Sequence, residues 1–251
     1  MQEKKKLFLL DAMALIYRAY FALNRNPRIN SKGLNTSAVL GFANTLLEVL
    51  KKENPTHIAV AFDAFAPTQR KTDFTQYKAN REDTPEDILL AIPYIKKLIE
   101  GFNIPVLEVP GYEADDIVGT LAKKAEKENF TVFMMTSDKD FGQLVSENIF
   151  IYKPARMGNG AEIWGVKEVC EKFAINTPDQ LIDILGLWGD ASDNIPGVPG
   201  IGEKKAKKLI GEFGSVENIL ENLDKVAEKR SRESLKENAQ QALMSKSLAT
   251  I

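Results

Sequence analysis

Residues 7–11 have the sequence LFLLD, in which four apolar residues are followed directly by a carboxylate. A short apolar run of this kind is typical of a buried strand in a parallel sheet. Further β-prone runs share this character, at 57–62, 106–109, 131–135 and 149–152. Between the runs, apolar residues recur with helical spacing at 37–52 and 112–128. Strands that alternate with helices predict an α/β fold with a parallel sheet.

Two other parts of the chain depart from this pattern. Residues 67–84 have no clear apolar face and mix basic with aromatic side chains, which predicts a projecting insertion. After about Thr177 the strand signals vanish and glycines punctuate helical sequence. We therefore predict an α/β domain at 1–176, with its insertion at about 67–90, and an all-helical region at 177–251.

Composition limits the chemistry. The 251 residues include 33 basic and 35 acidic ones, for a formal charge of −2, so bulk charge alone predicts no polyanionic partner. Cys170 and His57 are the only residues of their types, which excludes an internal disulfide, a multi-cysteine zinc site and a histidine-rich site. The first apolar run is too short for a secretory signal, and we expect a cytoplasmic protein. Carboxylates, lysines, hydroxyls and bound cations must supply any catalysis.

Acidic residues follow the predicted strands. Parallel strands bring their carboxyl ends to one edge of a sheet, so these side chains should share a crevice. Each could instead be an ordinary helix cap or turn residue. Seven together would repel one another, by roughly 4 kcal/mol for a pair ~4 Å apart, unless cations were bound. The seven are Asp11, Asp63, Glu113, Asp115, Asp116, Asp138 and Asp140.

Oxygen donors without a histidine or cysteine cluster select hard ions, so the predicted cofactor is two Mg²⁺ or Mn²⁺ ions. Two such ions ~3.5–4 Å apart are the usual apparatus for displacement at phosphorus. Phosphodiester hydrolysis is the leading reaction class, and a small-molecule phosphatase remains open. Asp190 and Asp193, farther along the chain, could complete the site or form a capped turn.

A glycine-rich turn precedes a basic helix. Gly197, Gly200 and Gly202 would let the backbone approach a phosphate, and a helix N-terminus would follow. The helix carries lysines suited to a nucleic-acid backbone, at Lys204, Lys205, Lys207 and Lys208. A plain helix cap is the alternative.

Aromatic and basic side chains are also interleaved in the insertion and after Asp11. This mixture suits single-stranded nucleic acid, where bases pack on aromatic rings and cations follow the phosphates. A solvated basic helix is the alternative for the insertion. The candidate contacts are Tyr17, Arg18, Arg70, Phe74, Tyr77, Lys78 and Arg81.

Five motifs in order along the chain carry a resemblance: FD at 62–63, YKANR at 77–81, GYEADD at 111–116, TSDKD at 136–140 and GDASDNIPGVPGIGEK at 189–204. They are similar to those of the 5′-nuclease domains of bacterial DNA polymerase I, within the flap endonuclease family. The resemblance implies a PIN-like nuclease core, a helical arch and a helix–three-turn–helix module that grips duplex DNA.

The resemblance also implies roles for particular residues. Lys78 matches the arch lysine that contacts the scissile phosphate in the family, and Arg81 matches its companion. Arg70 matches the arginine at the base of the arch. A K⁺ ion could lie in the turn between Val198 and Ile201. The implied ligands of the two Mg²⁺ ions, direct or through water, are Asp11, Asp63, Glu113, Asp115, Asp116, Asp138, Asp140, Asp190 and Asp193.

We therefore expect a structure-selective 5′ nuclease that cleaves DNA or RNA-primer strands at 5′ flaps and junctions, in replication and repair. We expect a monomer of the bacterial cytosol, followed in the full-length protein by polymerase domains, and a stand-alone nuclease is the alternative. A non-catalytic junction-binding module and a PIN-type ribonuclease are the rivals. The first leaves the self-repelling carboxylates unexplained, and the second leaves the glycine turn and lysine helix unexplained.

Overall fold

The computed structural model describes residues 5–64, 66–155 and 160–251. The chain forms two compact units. The first contains 1–66, 82–141 and 147–163, and the second contains 67–81, 142–146 and 164–251. Residues 67–81 of the predicted insertion therefore group with the helical part of the chain, and residues 82–90 group with the first unit. The boundary at residue 176 stays a prediction.

The first unit is built on a sheet. Its strands are β1 Lys6–Asp11, β2 His57–Ala61, β3 Val106–Leu107, β4 Thr131–Met135, β5 Ile149–Lys153 and β6 Glu162–Trp164. Their order across the sheet is β3-β2-β1-β4-β5-β6, and the pairings that join β3 through to β5 are all parallel, as predicted. Leu10 lies opposite Val60 on one side and Met135 on the other, which fixes the register.

The five predicted strands are confirmed, although β3 is shorter than its apolar run. The strand β6 was missed, because three residues are too few to produce an alternation signal. The helix predicted at 37–52 ends as an α-helix at Glu48 and continues as one π-helical turn, Val49–Glu53.

Helices cover the sheet of the first unit because alternate strand residues point to opposite faces. These helices are α1 Ala12–Ala22, α2 Ser37–Glu48, α4 Glu86–Gly101 and α5 Ala114–Lys127. Phe8, Leu10 and Val60 pack against the buried residues of α1, α2 and α4. The helix α5 packs against β1 and β4.

The second unit is helical in the part that the sequence predicted to be helical. Its helices are α3 Gln69–Asp73, α6 Val166–Phe173, α7 Leu181–Trp188, α8 Glu203–Phe213, α9 Val216–Glu221, α10 Lys229–Glu237 and α11 Ala239–Ala249. The centre of this unit is the packing of α7 against α11, where Lys246 reaches the buried Asp183 at 2.6 Å and Glu217 at 2.7 Å.

The strand order reverses between β1 and β4. In open α/β sheets, ligands bind outside the carboxyl ends of the strands at such a reversal. Asp11 is the last residue of β1 and therefore lies at this position. Across the described residues, no helix is both long and apolar enough to cross a bilayer.

Candidate metal and nucleic-acid sites

Asp11 joins the ends of the two central strands. Its backbone is extended, and its side chain caps α1 by accepting a hydrogen bond from the amide of Ala14 at 3.1 Å. The other carboxylate oxygen accepts a hydrogen bond at 2.8 Å from the hydroxyl of Thr136, which directly follows β4. That hydroxyl also accepts one from the amide of Asp138 at 3.1 Å. Thr136 thus links Asp11 to the next acidic segment.

Thr136 is fully buried, and the sequence pattern assigned it no role. Its position between a strand and Asp138 was the only hint in the sequence. The role of Thr136 becomes evident only in the fold, where Asp11 lies next to its hydroxyl.

Asp63 connects β2 to α5. It lies two residues beyond the end of β2, and its carboxylate accepts a hydrogen bond from the amide of Ala114 at 2.8 Å. Ala114 is the first residue of α5. The bond brings the N-terminus of α5 to the same edge of the sheet, as the strand pattern predicted.

The acidic residues around the start of α5 also serve the helix itself. Glu113 and Asp116 form a reciprocal capping box, with the Glu113 amide 3.0 Å from the Asp116 carboxylate. The carboxylate of Asp115 accepts a hydrogen bond from the amide of Asp116 at 2.7 Å. After β4, the Asp138 carboxylate accepts one from the amide of Asp140 at 2.9 Å. The capping interpretation is therefore correct for these residues, and it does not exclude a second role.

Negative charge is concentrated at the carboxyl edge of the sheet. Burial raises the pKa of Asp11 to about 6, and the charges of Asp63 and Asp138 act in the same direction. Within the described residues, no group of three or more aspartate, glutamate, histidine or cysteine side chains is arranged to hold a metal ion. The structure thus brings acidic chain segments together while their oxygens serve caps and turns.

Asp190 and Asp193 belong to the second unit, on a closed loop at 189–197 that we call the aspartate loop. Asp190 and Ile195 exchange backbone hydrogen bonds of 3.0 and 2.8 Å. The Asp190 carboxylate accepts hydrogen bonds from the amide and hydroxyl of Ser192, at 2.8 and 2.6 Å. The turn interpretation is therefore correct for Asp190, and its role as a metal ligand stays a prediction.

Gly197 closes the aspartate loop by packing tightly against Gly189. A Cβ at this position would lie 2.4 Å from the Gly189 nitrogen, and φ is +60°. Its amide donates to the hydroxyl of Ser245, and its carbonyl accepts from the side chain of Gln241. Gly197 is therefore needed for the close packing of this loop, and its contact with a phosphate stays a prediction. Ser245 and Gln241 were missed, because only the folded chain brings α11 to this loop.

Gly200 and Gly202 have the predicted character. Gly200 has a φ of +78°, and nothing lies within 4 Å of the position that a Cβ would take, so the backbone is open there. Gly202 is the N-cap of α8 and has no side chain to cover the first amides of the helix. Two carbonyls of the turn expected to hold K⁺ already accept hydrogen bonds, Val198 from Ile201 at 3.0 Å and Pro199 from Ser234 at 2.6 Å.

The lysines of α8 are not equivalent. Lys205 pairs with Glu228 at 2.8 Å, and Lys207 with Glu203 at 2.7 Å. These pairs reduce the charge that Lys205 and Lys207 can offer a phosphate, and the contacts of the α8 lysines with DNA stay predictions. Lys204 and Lys208 are exposed, with Lys208 3.8 Å from Glu212.

The environment of Tyr77, in the insertion, differs from the predicted exposed stacking position. Its side chain is buried, with the residue 2% exposed, and its hydroxyl donates to the Asp193 carboxylate at 3.3 Å. A buried ring cannot stack on a base, so in this structure Tyr77 is a packing residue.

The other candidates of the insertion differ in exposure and partners. Phe74 is half-buried, and Arg70 donates to the carbonyl of Thr250 at 2.8 Å. Lys78 and Arg81 both pair with Asp193 of the same unit. Contacts between these four side chains and nucleic acid stay predictions.

The two candidates on α1 have defined partners. The Tyr17 hydroxyl donates to Thr84 at 2.9 Å, and the guanidinium of Arg18 donates to the carbonyls of Pro154 and Ala155. These bonds give both side chains a structural role, and their contacts with nucleic acid stay predictions.

Comparison with known proteins gives a consistent assignment. Residues 6–174 match the family model "5′-3′ exonuclease, N-terminal resolvase-like domain", and residues 176–251 match "5′-3′ exonuclease, C-terminal SAM fold". A DNA polymerase I of Bacillus subtilis is 47% identical over 252 residues, covering 100% of this chain and 28% of that protein. A 5′-3′ exonuclease of Aquifex aeolicus is 41% identical, covering 88% of this chain and 74% of its own length. The chain thus spans about a quarter of the polymerase relatives' length.

Solved structures share the fold. Zinc-bound T5 5′-exonuclease has a TM-score of 0.81 at 21% identity, covering 98% of this chain and 89% of that one. The catalytic core of Rad2 in complex with a DNA substrate has a TM-score of 0.63 at 19% identity, covering 98% and 78%. The predicted parallel-sheet nuclease fold with a helical region is confirmed.

Proposed function

The chain belongs to the 5′-3′ exonuclease family, and we propose that it hydrolyses phosphodiesters near 5′ single-strand/duplex junctions in a divalent-metal-dependent reaction. One observation carries this proposal. The hydrogen bond between Thr136 and Asp11 joins the carboxyl ends of β1 and β4 at the strand-order reversal, where Asp63 and α5 also converge.

The donor chemistry fits a hard divalent cation. All the candidate ligands are carboxylates, which favours Mg²⁺ or Mn²⁺ over softer metals. Burial and the nearby negative charges raise the pKa of Asp11, and a bound cation would offset both effects by stabilising the ionised carboxylate. The residues of the first unit that would hold the ions are Asp11, Asp63, Glu113, Asp115, Asp116, Asp138 and Asp140.

Bound divalent ions would activate the attacking water and stabilise charge on the phosphate and the leaving oxygen. The protein's own groups would do the rest. Thr136 would hold Asp11 and the Asp138 segment in place, because its hydroxyl bonds to both. Lys78 and Arg81 would neutralise the phosphate in the transition state. Asp190 and Asp193 remain predicted ligands from the second unit.

The second unit would grip the duplex. The open backbone at Gly200, the amides that begin α8 without a side-chain cap and the exposed Lys204 are suited to a phosphate. A K⁺ ion would have to share the carbonyls of Val198 and Pro199 with their present hydrogen bonds. Because several relatives are DNA polymerases I, we propose that the nuclease acts with a polymerase in primer removal and repair.

The test compares labelled 5′-flap, 3′-flap and single-stranded substrates, each with Mg²⁺ or with a chelator. We expect Mg²⁺-dependent release from the 5′ flap, with a 5′-phosphate on the product. Asp138→Asn is the matched inactive variant, and Asp224→Asn, an exposed position in the second unit, is its control. Tight junction binding without cleavage by the wild type would favour a binding module and overturn the proposal.

A further inference from the structure

Within the second unit, a short segment of the insertion docks onto the aspartate loop. We call residues 76–81 the cation turn. Several hydrogen bonds join it to 191–194. Among them, the Lys78 amide donates to the Asp193 carbonyl at 2.9 Å, the Asn80 side chain to the Ala191 carbonyl at 2.6 Å, and the Asn194 side chain to the Gln76 carbonyl at 2.7 Å. The Arg81 side chain also donates to the Ser192 carbonyl at 3.4 Å. The two segments therefore form a defined interface.

At the centre of this interface, one carboxylate meets two cations. Arg81 donates from its guanidinium to one oxygen of Asp193, and the Lys78 ammonium lies 3.8 Å from the other. The hydroxyl of Tyr77 donates to that second oxygen at 3.3 Å. The Asp193 side chain is only 13% exposed and that of Lys78 22% exposed, so water screens the lysine pair less than a surface pair. Asp193 thus contacts both cations and holds them beside each other.

The backbone on both sides of the interface is constrained. Lys78 has a φ of +55° and Asn194 a φ of +56°, in the left-handed region. This conformation is disfavoured for a lysine, and it persists only where the surrounding contacts determine it. The cation turn is consequently held in one geometry by its contacts with the aspartate loop.

We propose that Asp193 is a positioning residue for Lys78 and Arg81, and that its carboxylate occupies, in the DNA-free protein, the place that a DNA phosphate takes between the same two cations. The proposal rests on the proposed function, in which those cations bind the substrate. It assigns Asp193 a task different from that of Asp190, whose carboxylate closes its own turn through Ser192. A phosphate must compete with Asp193, so the cations are oriented before DNA arrives but contribute little net charge to the first encounter.

The test measures binding of a labelled 5′-flap duplex in chelator, where no cleavage takes place, between roughly 50 and 200 mM salt. Asp193→Asn removes the carboxylate charge that competes with a phosphate for Lys78 and Arg81. The slope of log affinity against log salt should become steeper by up to ~1.8, because each added phosphate contact contributes ~0.9. Affinity should accordingly fall about tenfold more across this salt range than in the wild type. The control Asp224→Asn removes the same charge from an exposed site and should leave the slope unchanged.

A double-mutant cycle separates positioning from general repulsion. In the Lys78→Ala/Arg81→Ala background, Asp193→Asn should no longer alter the slope. An equal gain in both backgrounds would mean that Asp193 merely repels DNA, and the proposal would be wrong. If Asp193→Asn does not fold, Asp193→Ser takes its place in the same cycle, with the same expected result and the same overturning result.

The outcome is independent of the nuclease assay. If the wild type cleaves 5′ flaps but Asp193 shows no coupling to Lys78 and Arg81, only this inference is wrong. If the wild type binds DNA and shows the coupling but never cleaves, the proposed function is wrong.

Discussion

At the carboxyl edge of the sheet, Asp11 and Asp63 accept hydrogen bonds from neutral donors, the Thr136 hydroxyl and the Ala114 amide. In the second unit, by contrast, Asp193 meets Lys78 and Arg81, and Asp183 meets Lys246. Neutral donors fix the position of a carboxylate without cancelling its charge, whereas cations do both. The first arrangement keeps the charge of the carboxylate, and the second balances it with positive groups.

Asp138 belongs to the acidic edge of the sheet, and its replacement should have the largest effect. Asp138→Asn should lower Mg²⁺-dependent 5′-flap cleavage about a thousandfold, ~4 kcal/mol of transition-state stabilisation, because a ligand charge is lost. Single-turnover cleavage measures the loss, and binding in chelator should be preserved. Near-wild-type cleavage by this variant would remove Asp138 from the catalytic edge.

The aspartate loop of the second unit depends on packing, which Gly197→Ala tests. The added Cβ would lie 2.4 Å from the Gly189 nitrogen at a φ of +60°. The free energy of unfolding should fall by about 3 kcal/mol, measured by urea denaturation. Gly200→Ala is the matched control, since its φ is also positive but its surroundings are open, and it should cost about 1 kcal/mol. Equal losses would show that backbone conformation alone matters.

The charge of Asp11 in the first unit should also limit stability. The folded pKa of Asp11 is about 6, above the ordinary value of 3.8, so an ionised Asp11 destabilises the metal-free fold at pH above 6. Asp11→Asn should therefore raise the free energy of unfolding at pH 7.5 by ~2 kcal/mol in chelator, while abolishing cleavage. Below pH 4 both forms carry a neutral group and their stabilities should converge. Thermal melts at the two pH values measure this, and a destabilised variant at pH 7.5 would contradict it.

The smallest effect concerns the lysines of α8. Lys204 is exposed, whereas Lys207 bonds to Glu203 at 2.7 Å and to the Lys172 carbonyl at 3.0 Å. Lys204→Ala should reduce the salt slope of duplex binding by ~0.9, and Lys207→Ala by much less. Titrations at several salt concentrations measure both. The reverse order would place the other face of α8 on the DNA.

Much of the fold could be predicted from local sequence. The run at 131–135 is β4 to the residue, because apolar β-branched and aromatic residues between two turn signals are nearly unambiguous. The exposed β6 and the π-helical turn Val49–Glu53 could not be predicted, since neither leaves a periodic signal.

The sequence predicted the position of the acidic residues of the candidate site. It did not predict the polar residues that hold them in place. Asp11 and Asp63 end predicted strands, so topology alone placed them together. Thr136, Gln241 and Ser245 are ordinary polar residues whose roles come from partners over 40 positions away. The interleaved aromatic pattern was misleading at Tyr77, because composition does not reveal which ring is buried.

The sequence by itself determined the alternation of strands and helices, the carboxylates at the strand ends and the glycine turn before α8, because these depend on short-range periodicity and backbone freedom. Only the tertiary structure decided which charges are balanced. Asp11 faces a hydroxyl and Asp193 faces two cations because of residues distant in sequence, and a charge's neighbours fix whether it binds a cation or orients one.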